Sequence, residues 1–119
     1  MKTLVLAAGL TASALGAEQL TLSNVTVTEV GAYVSPDSKL CEGFRLNEKE
    51  AVAFFGKAVA VTGEQLHDYS WLPCFVRGRA TSSAGAVTWE IQPLGTGHIT
   101  LPNGTTQSFA DQAQKDKHE

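Results

Sequence analysis

The sequence predicts an α+β domain in which one amphipathic helix packs on an antiparallel sheet of four to five strands, held by one disulfide. Three observations carry that expectation. A capped helical pattern begins at Asn47, apolar and polar residues alternate from Val87 to Gln92, and two cysteines, Cys41 and Cys74, flank the helical segment.

Ahead of the domain, Lys2 gives a positive start, residues 4–15 form an uncharged and mostly apolar run, and Ala12, Ala14, Gly16 and Ala17 are small. This is the grammar of a removable signal peptide over residues 1–17, with cleavage near residues 14–17 and a periplasmic or secreted product. A retained anchor needs about 20 apolar residues, and Glu18 and Gln19 arrive too soon. No cysteine lies beside the cleavage sites, so no lipid anchor is expected after processing. Cleavage removes Lys2 from nine basic residues and nothing from twelve acidic ones, leaving eight against twelve and a net charge of −4. Binding to phosphate backbones needs clustered Lys and Arg. Arg77 and Arg79 are the one close basic pair in the domain, so neither nucleic acid nor an anionic membrane is the expected partner. The about 100 residues that remain make one domain, residues 18–111, in which a covalent staple adds materially to a small core.

The first element falls in residues 20–34, rich in Val and Thr. Leu20 and Leu22 lie on the opposite parity to Val25 and Val27, which a bulge or break near Ser23–Asn24 would reconcile. In an oxidising compartment the two cysteines admit one intramolecular pairing, Cys41 with Cys74. Closing a loop of about 33 residues stabilises by about 3–4 kcal/mol in the chain-entropy picture. Inside the loop, Asn47 is a helix N-cap, Glu50 completes a capping box, and Leu46 is placed to staple against Ala51. Ala51, Val52, Phe54, Phe55, Ala58 and Val59 then fall within an arc of about 160°, a face made for burial. After Gly63, residues 64–73 return the chain to Cys74.

Residues 74–81 and 86–92 read as a hairpin turned at residues 82–85, with Arg77 or Arg79 placed to face Glu90. Ile99 and Leu101 lead into Pro102-Asn103-Gly104-Thr105, where Asn-Gly favours a type I′ turn. The strand after it runs through Phe109. Residues 112–119 carry no apolar anchor and are expected to form a disordered tail.

The segment 64–73 holds the candidate partner-binding residues His67, Asp68, Tyr69 and Trp71. Aromatic side chains on a tethered loop are the residue types that dominate binding interfaces. The competing reading is structural: Tyr69 and Trp71 close the open end of the core, Asp68 caps a turn, and His67 is solvated. The Gly95-x-Gly97 region is an alternative binding loop. No catalytic residues are assigned. His67 and Asp68 are adjacent and point apart if extended, and the sequence offers no nucleophile elbow to complete a site. Glu48 and Glu50 suit the positive end of the helix dipole. His67, His98 and His118 lack metal-ligand spacing, so neither metal nor cofactor is expected. The Gly-rich run 94–98 opens no helix and is no dinucleotide loop. Asn24-Val25-Thr26 and Asn103-Gly104-Thr105 match the glycan acceptor pattern, which has meaning only if the source glycosylates.

Phe44-x-Leu46 before Glu48, Glu50-Ala51 with Phe54-Phe55, His67-Asp68-Tyr69-x-Trp71-x-x-Cys74, then Gly78, Trp89-x-Ile91 and Asn103-Gly104 form a pattern over residues 44–109. It resembles a group of small exported bacterial proteins of unknown function. The resemblance implies fold and compartment and no chemistry. Members of that group often carry Cys-x-x-Cys after the last strand, where this chain has Ser108-Phe109-Ala110-Asp111. One bridge is left, and no metal or redox role carries over.

Two function classes follow. The first is a protein-binding module, such as a periplasmic inhibitor or an immunity-type protein, with which a cationic partner is compatible; it expects residues 66–72 to be exposed and ordered. The second is a small-ligand carrier or structural envelope protein, with an apolar pocket between helix and sheet lined by Phe54, Phe55, Trp89 and Ile91.

Overall fold

The computed structural model describes residues 21–33 and 39–116. The expected signal peptide, residues 1–17, lies outside them. The chain runs β1 (Ser23–Ala32), α1 (Glu48–Lys57), β2 (Val59–Val61), β3 (Cys74–Ser82), β4 (Gly85–Gln92), β5 (Thr96–Thr100) and β6 (Thr106–Ala110), with short 3₁₀ turns at Gln65–Asp68 and Gln112–Gln114. The strands form one antiparallel sheet in the order β1-β3-β4-β5-β6-β2. The fold is α+β, with six strands among the described residues where the sequence indicated four to five.

The additional strand is β2, whose residues the helical pattern had claimed. Ala58 turns extended, with φ −71° and ψ 150°, while its N–H still donates to the Phe54 carbonyl. The β-branched residues Val59 and Val61 then gain a ladder on β6, opposite Ala110 and Ser108. Sheet pairing satisfies backbone groups that a longer helix would satisfy internally, and β-branching tips the choice.

The helix begins as its sequence indicates. Asn47 Oδ1 accepts from the Glu50 N–H at 2.8 Å, and the Asn47 N–H donates to Glu50 Oε1 at 2.9 Å. Ala51, Phe54 and Phe55 are buried, whereas Val52, at the margin of the expected face, is exposed. Phe55 meets Trp89 and Phe109 edge-on, with ring centroids 6.2 and 5.8 Å apart. Val76, Ala80, Val87, Ile91 and Ile99 complete the core beneath α1. Phe54, Phe55, Trp89 and Ile91 therefore fill the space between helix and sheet rather than line a pocket there.

Strand β1 shifts register between Ser23 and Thr26 and again between Val27 and Glu29, and Asn24 has φ +53°. The first break lies where the parity conflict required one. Ser82 pairs with Gly85 across a two-residue turn, as read from the sequence. The last hairpin is different. Gly104 N–H donates to the Leu101 carbonyl, which places Pro102 and Asn103 at the turn centre, and Gly104, at φ +91°, is the left-handed residue. Proline fixes a negative φ suited to that first central position, so a Leu101–Gly104 turn followed by a glycine bulge replaces the type I′ turn on Asn-Gly.

Disulfide Cys41–Cys74 joins the segment before α1 to the start of β3. The tail also differs from expectation in residues 112–116. Asp111 caps the 3₁₀ turn by accepting from the Ala113 N–H at 3.1 Å. The Asp116 N–H then donates to the Asp68 carbonyl at 2.8 Å, and Ser70 Oγ donates to Asp116 Oδ1 at 2.9 Å. Polar contacts hold this strap without an apolar anchor. Among the described residues no helix is long and apolar enough to cross a membrane.

Candidate functional site: the open face of the sheet

The helix covers one face of the sheet. Opposite it, the odd positions Phe75, Arg77 and Arg79 of β3 and the even positions Thr88, Glu90 and Gln92 of β4 point away from the core, as strand alternation requires. The antiparallel register aligns Glu29, Arg77, Glu90, His98 and Ser108 in one row across five strands. A second row runs through Arg79, Thr88, Thr100 and Thr106.

Glu90 is the centre of the first row and only 7% exposed. Its Oε1 accepts from Arg77 Nε at 2.6 Å and its Oε2 from Gln92 Nε2 at 2.6 Å, while His98 Nε2 stands 3.7 Å from Oε2. Arg77 reaches Glu29 Oε1 at 3.2 Å as well and lies 3.8 Å over the Phe75 ring. A buried carboxylate is tolerated only when paired and hydrogen-bonded, and this one is. Gln92 in turn accepts from Thr96 Oγ1 at 3.2 Å.

The 3₁₀ turn at Gln65–Asp68 and the chain after it cross the β2–β6 end of this face. Thr62 and Gln65 cap the turn reciprocally, with Gln65 N–H donating to Thr62 Oγ1 at 3.1 Å and Thr62 N–H to Gln65 Oε1 at 2.8 Å. Tyr69 packs down with Val61 and Ala110 and is 8% exposed. Trp71 stays 56% exposed and stacks on Tyr33, with centroids 6.0 Å apart and planes at 21°. A Tyr33 N–H bond of 2.8 Å to the Pro73 carbonyl ties the two segments together. Between this aromatic rim and the strands lies a cleft of about 450 Å³, floored by Gln92, Thr96, Gly97, His98 and Ser108 and walled by Tyr33, Leu66, Tyr69 and Trp71.

The four candidate residues thus separate. Trp71 reaches the surface and meets Tyr33. Tyr69 is largely buried; it packs with the second apolar cluster of Val61 and Ala110 and lines the cleft. His67 is exposed on the turn, and Asp68 pairs with Lys115 at 3.6 Å; neither lines the cleft. Thr96 and Gly97 of the Gly95-x-Gly97 region, the alternative binding loop of the sequence, line the cleft, whereas Tyr33, His98 and Ser108 belong to the site and carried no local signal. Their parity on outward positions was readable, but the strand order that joins them was not. The hairpin pattern left Arg77 or Arg79 to face Glu90, and the β3–β4 register selects Arg77.

Burial pushes the Tyr69 phenol above its ordinary pKa, with added repulsion from Asp111 and Asp68. Asp111 goes the other way. Burial raises it, yet hydrogen bonds from the Gln114 side chain and the Ala113 backbone, with the Lys57 ammonium nearby, outweigh that and hold it below the usual carboxylate value. Among the described residues no three His, Cys, Asp or Glu side chains converge as a metal site would require. Comparison with protein-family models, with curated proteins and with solved structures finds no match for this chain.

Proposed function

We propose that this chain is an exported, disulfide-stapled binding protein, periplasmic or secreted, that engages another protein through the Tyr33–Trp71 rim. The observation that carries the reading is an exposed Trp71 on a segment fixed from three sides: by Cys41–Cys74, by the Tyr33–Pro73 hydrogen bond and by the strap at Asp116. Large aromatic side chains held in place lose little entropy on contact, and that is why they dominate interface energetics. The acidic balance of the processed chain suits a cationic partner, such as a toxin or hydrolase that the protein would restrain. The disulfide is consistent with an oxidising compartment.

Affinity capture from the envelope fraction of the source, run in parallel with wild type and Trp71→Ala, tests the reading. A partner retained by wild type and lost by the variant, with at least about a tenfold drop in affinity, is the expected result. Equal retention by both proteins would remove the rim from the interface. A second reading, carriage of a small ligand, is favoured by the 450 Å³ cleft, although that cleft lies on the face opposite the helix.

A further inference from the structure

The cleft has a chemical character of its own. No Asp, Glu, Lys or Arg lines it, and Glu90, next to His98 in the first row, is already engaged by Arg77 and Gln92. An ionic ligand would gain no free counter-charge there. Hydrogen-bonding capacity, in contrast, is left over. Among the described residues, the Ser108 hydroxyl, the Tyr69 phenol, the Trp71 indole N–H and the His98 imidazole make no hydrogen bond, although Tyr69 is 8% exposed. An occupant that hydrogen-bonds these cleft-lining groups fits better than a purely apolar one, which would cover them without pairing them. The wall adds shape, because the Tyr33 and Trp71 rings stack at 21° and present flat apolar surface beside those polar groups.

We infer that the cleft binds a neutral saccharide, with the C–H face of a sugar ring on Trp71 and its hydroxyls against Ser108 of the floor and Tyr69 of the wall. A pyranose is the common neutral ligand that combines a flat apolar face with a hydroxyl periphery. The volume lies within the roughly 300–1,000 Å³ typical of ligand sites. This inference rests on the small-ligand reading; it shares Trp71 with the protein-partner reading, and the shifts at residues 92–98 and 108 on the cleft floor tell the two apart.

The test is titration of the isotope-labelled full chain with glucose and N-acetylglucosamine trisaccharides at millimolar concentration, with indole as an apolar probe. Amide shifts confined to residues 69–71, 92–98 and 108, with Trp71 fluorescence changing in parallel, are the expected response to a trisaccharide. Trp71→Ala should then weaken binding about tenfold, the order of one lost aromatic contact. Ser108→Phe, which fills the floor and leaves the rim in place, should abolish it. The shift map of the unmutated chain keeps the test decisive if Ser108→Phe folds poorly. Shifts with indole alone would overturn the saccharide assignment and leave a small-ligand cleft standing, whereas no shift with any probe would overturn both. A saccharide that still binds folded Ser108→Phe would place its site elsewhere and overturn the inference.

Discussion

Gly78 shows how much one residue decides in this sheet. It lies opposite Trp89 in the β3–β4 ladder, and a Cβ built on it would run into the Thr26 carbonyl oxygen and the Trp89 six-membered ring. The missing side chain lets the indole lie flat across the strand and donate its N–H to the Arg79 carbonyl at 3.1 Å. Trp89 is 2% exposed and touches Phe55, so its position fixes that of the helix. Overfilling such a site costs typically about 1–3 kcal/mol. Gly78→Ala should lose stability at the upper end of that range, because both obstructing groups are rigid. Urea unfolding measures it, and a loss within experimental error would mean that Trp89 has room to move. The cost is unreadable in the sequence, where Gly78 is merely one alternating position. Leu94 is the opposite kind of residue: φ +73° on an exposed apolar side chain has no sequence signature.

Elements carry the constraint one level up. Disulfide Cys41–Cys74 spans a sequence separation of 33 and fastens the approach to α1 onto β3, the strand that also pairs with β1. Its loss frees the unfolded chain by about 3–4 kcal/mol in the chain-entropy model. The Cys41→Ser/Cys74→Ser double variant should show that loss in denaturant midpoint, with faster hydrogen exchange at residues 69–73 than at β4 and β5. A uniform change across the sheet would detach the bridge from the ordering of the aromatic segment. The bridge, the capping box at Asn47 and the hairpin at residues 82–85 were legible because each depends on residues near in sequence or on a unique pairing. Strand β2 and the strap at residues 112–116 were not. Both are formed by partners far along the chain, Ser108 to Ala110 for one and Asp68 with Ser70 for the other. The candidate site divides in the same way: Trp71 stood out as a residue type, whereas its neighbour Tyr33 joins it through strand order.

At the scale of the whole molecule, Asp111 and Tyr69 tie the two faces of the sheet to solvent pH. Asp111 follows β6, accepts from Ala113 and Gln114, meets Lys57 of α1 at 3.6 Å, and gives its own N–H to the Gly95 carbonyl. Its folded pKa is lowered, so its contribution is present above the ordinary carboxylate pKa of about 3.9 and is lost as pH falls through the folded value. Tyr69 is shifted upward from 10.0, first by burial and then by Asp111 and Asp68. The unfolded chain releases the phenolic proton first, so that contribution is complete below about pH 10 and is lost as pH rises through the folded value. Stability should therefore fall at both extremes, and the two limbs should be separable by substitution. Asp111→Asn keeps an acceptor for Ala113 but removes the charge, and should flatten the acid limb while reducing the alkaline limb only in part, because burial, the larger cause of the Tyr69 shift, remains. Tyr69→Phe should flatten the alkaline limb and leave neutral stability unchanged, because no hydrogen bond of the phenol within the described residues is lost. Urea midpoints across the pH range for the three proteins decide it. An alkaline limb that persists undiminished in Tyr69→Phe would show that another group governs it, and would return the Tyr69 ring to a packing role only.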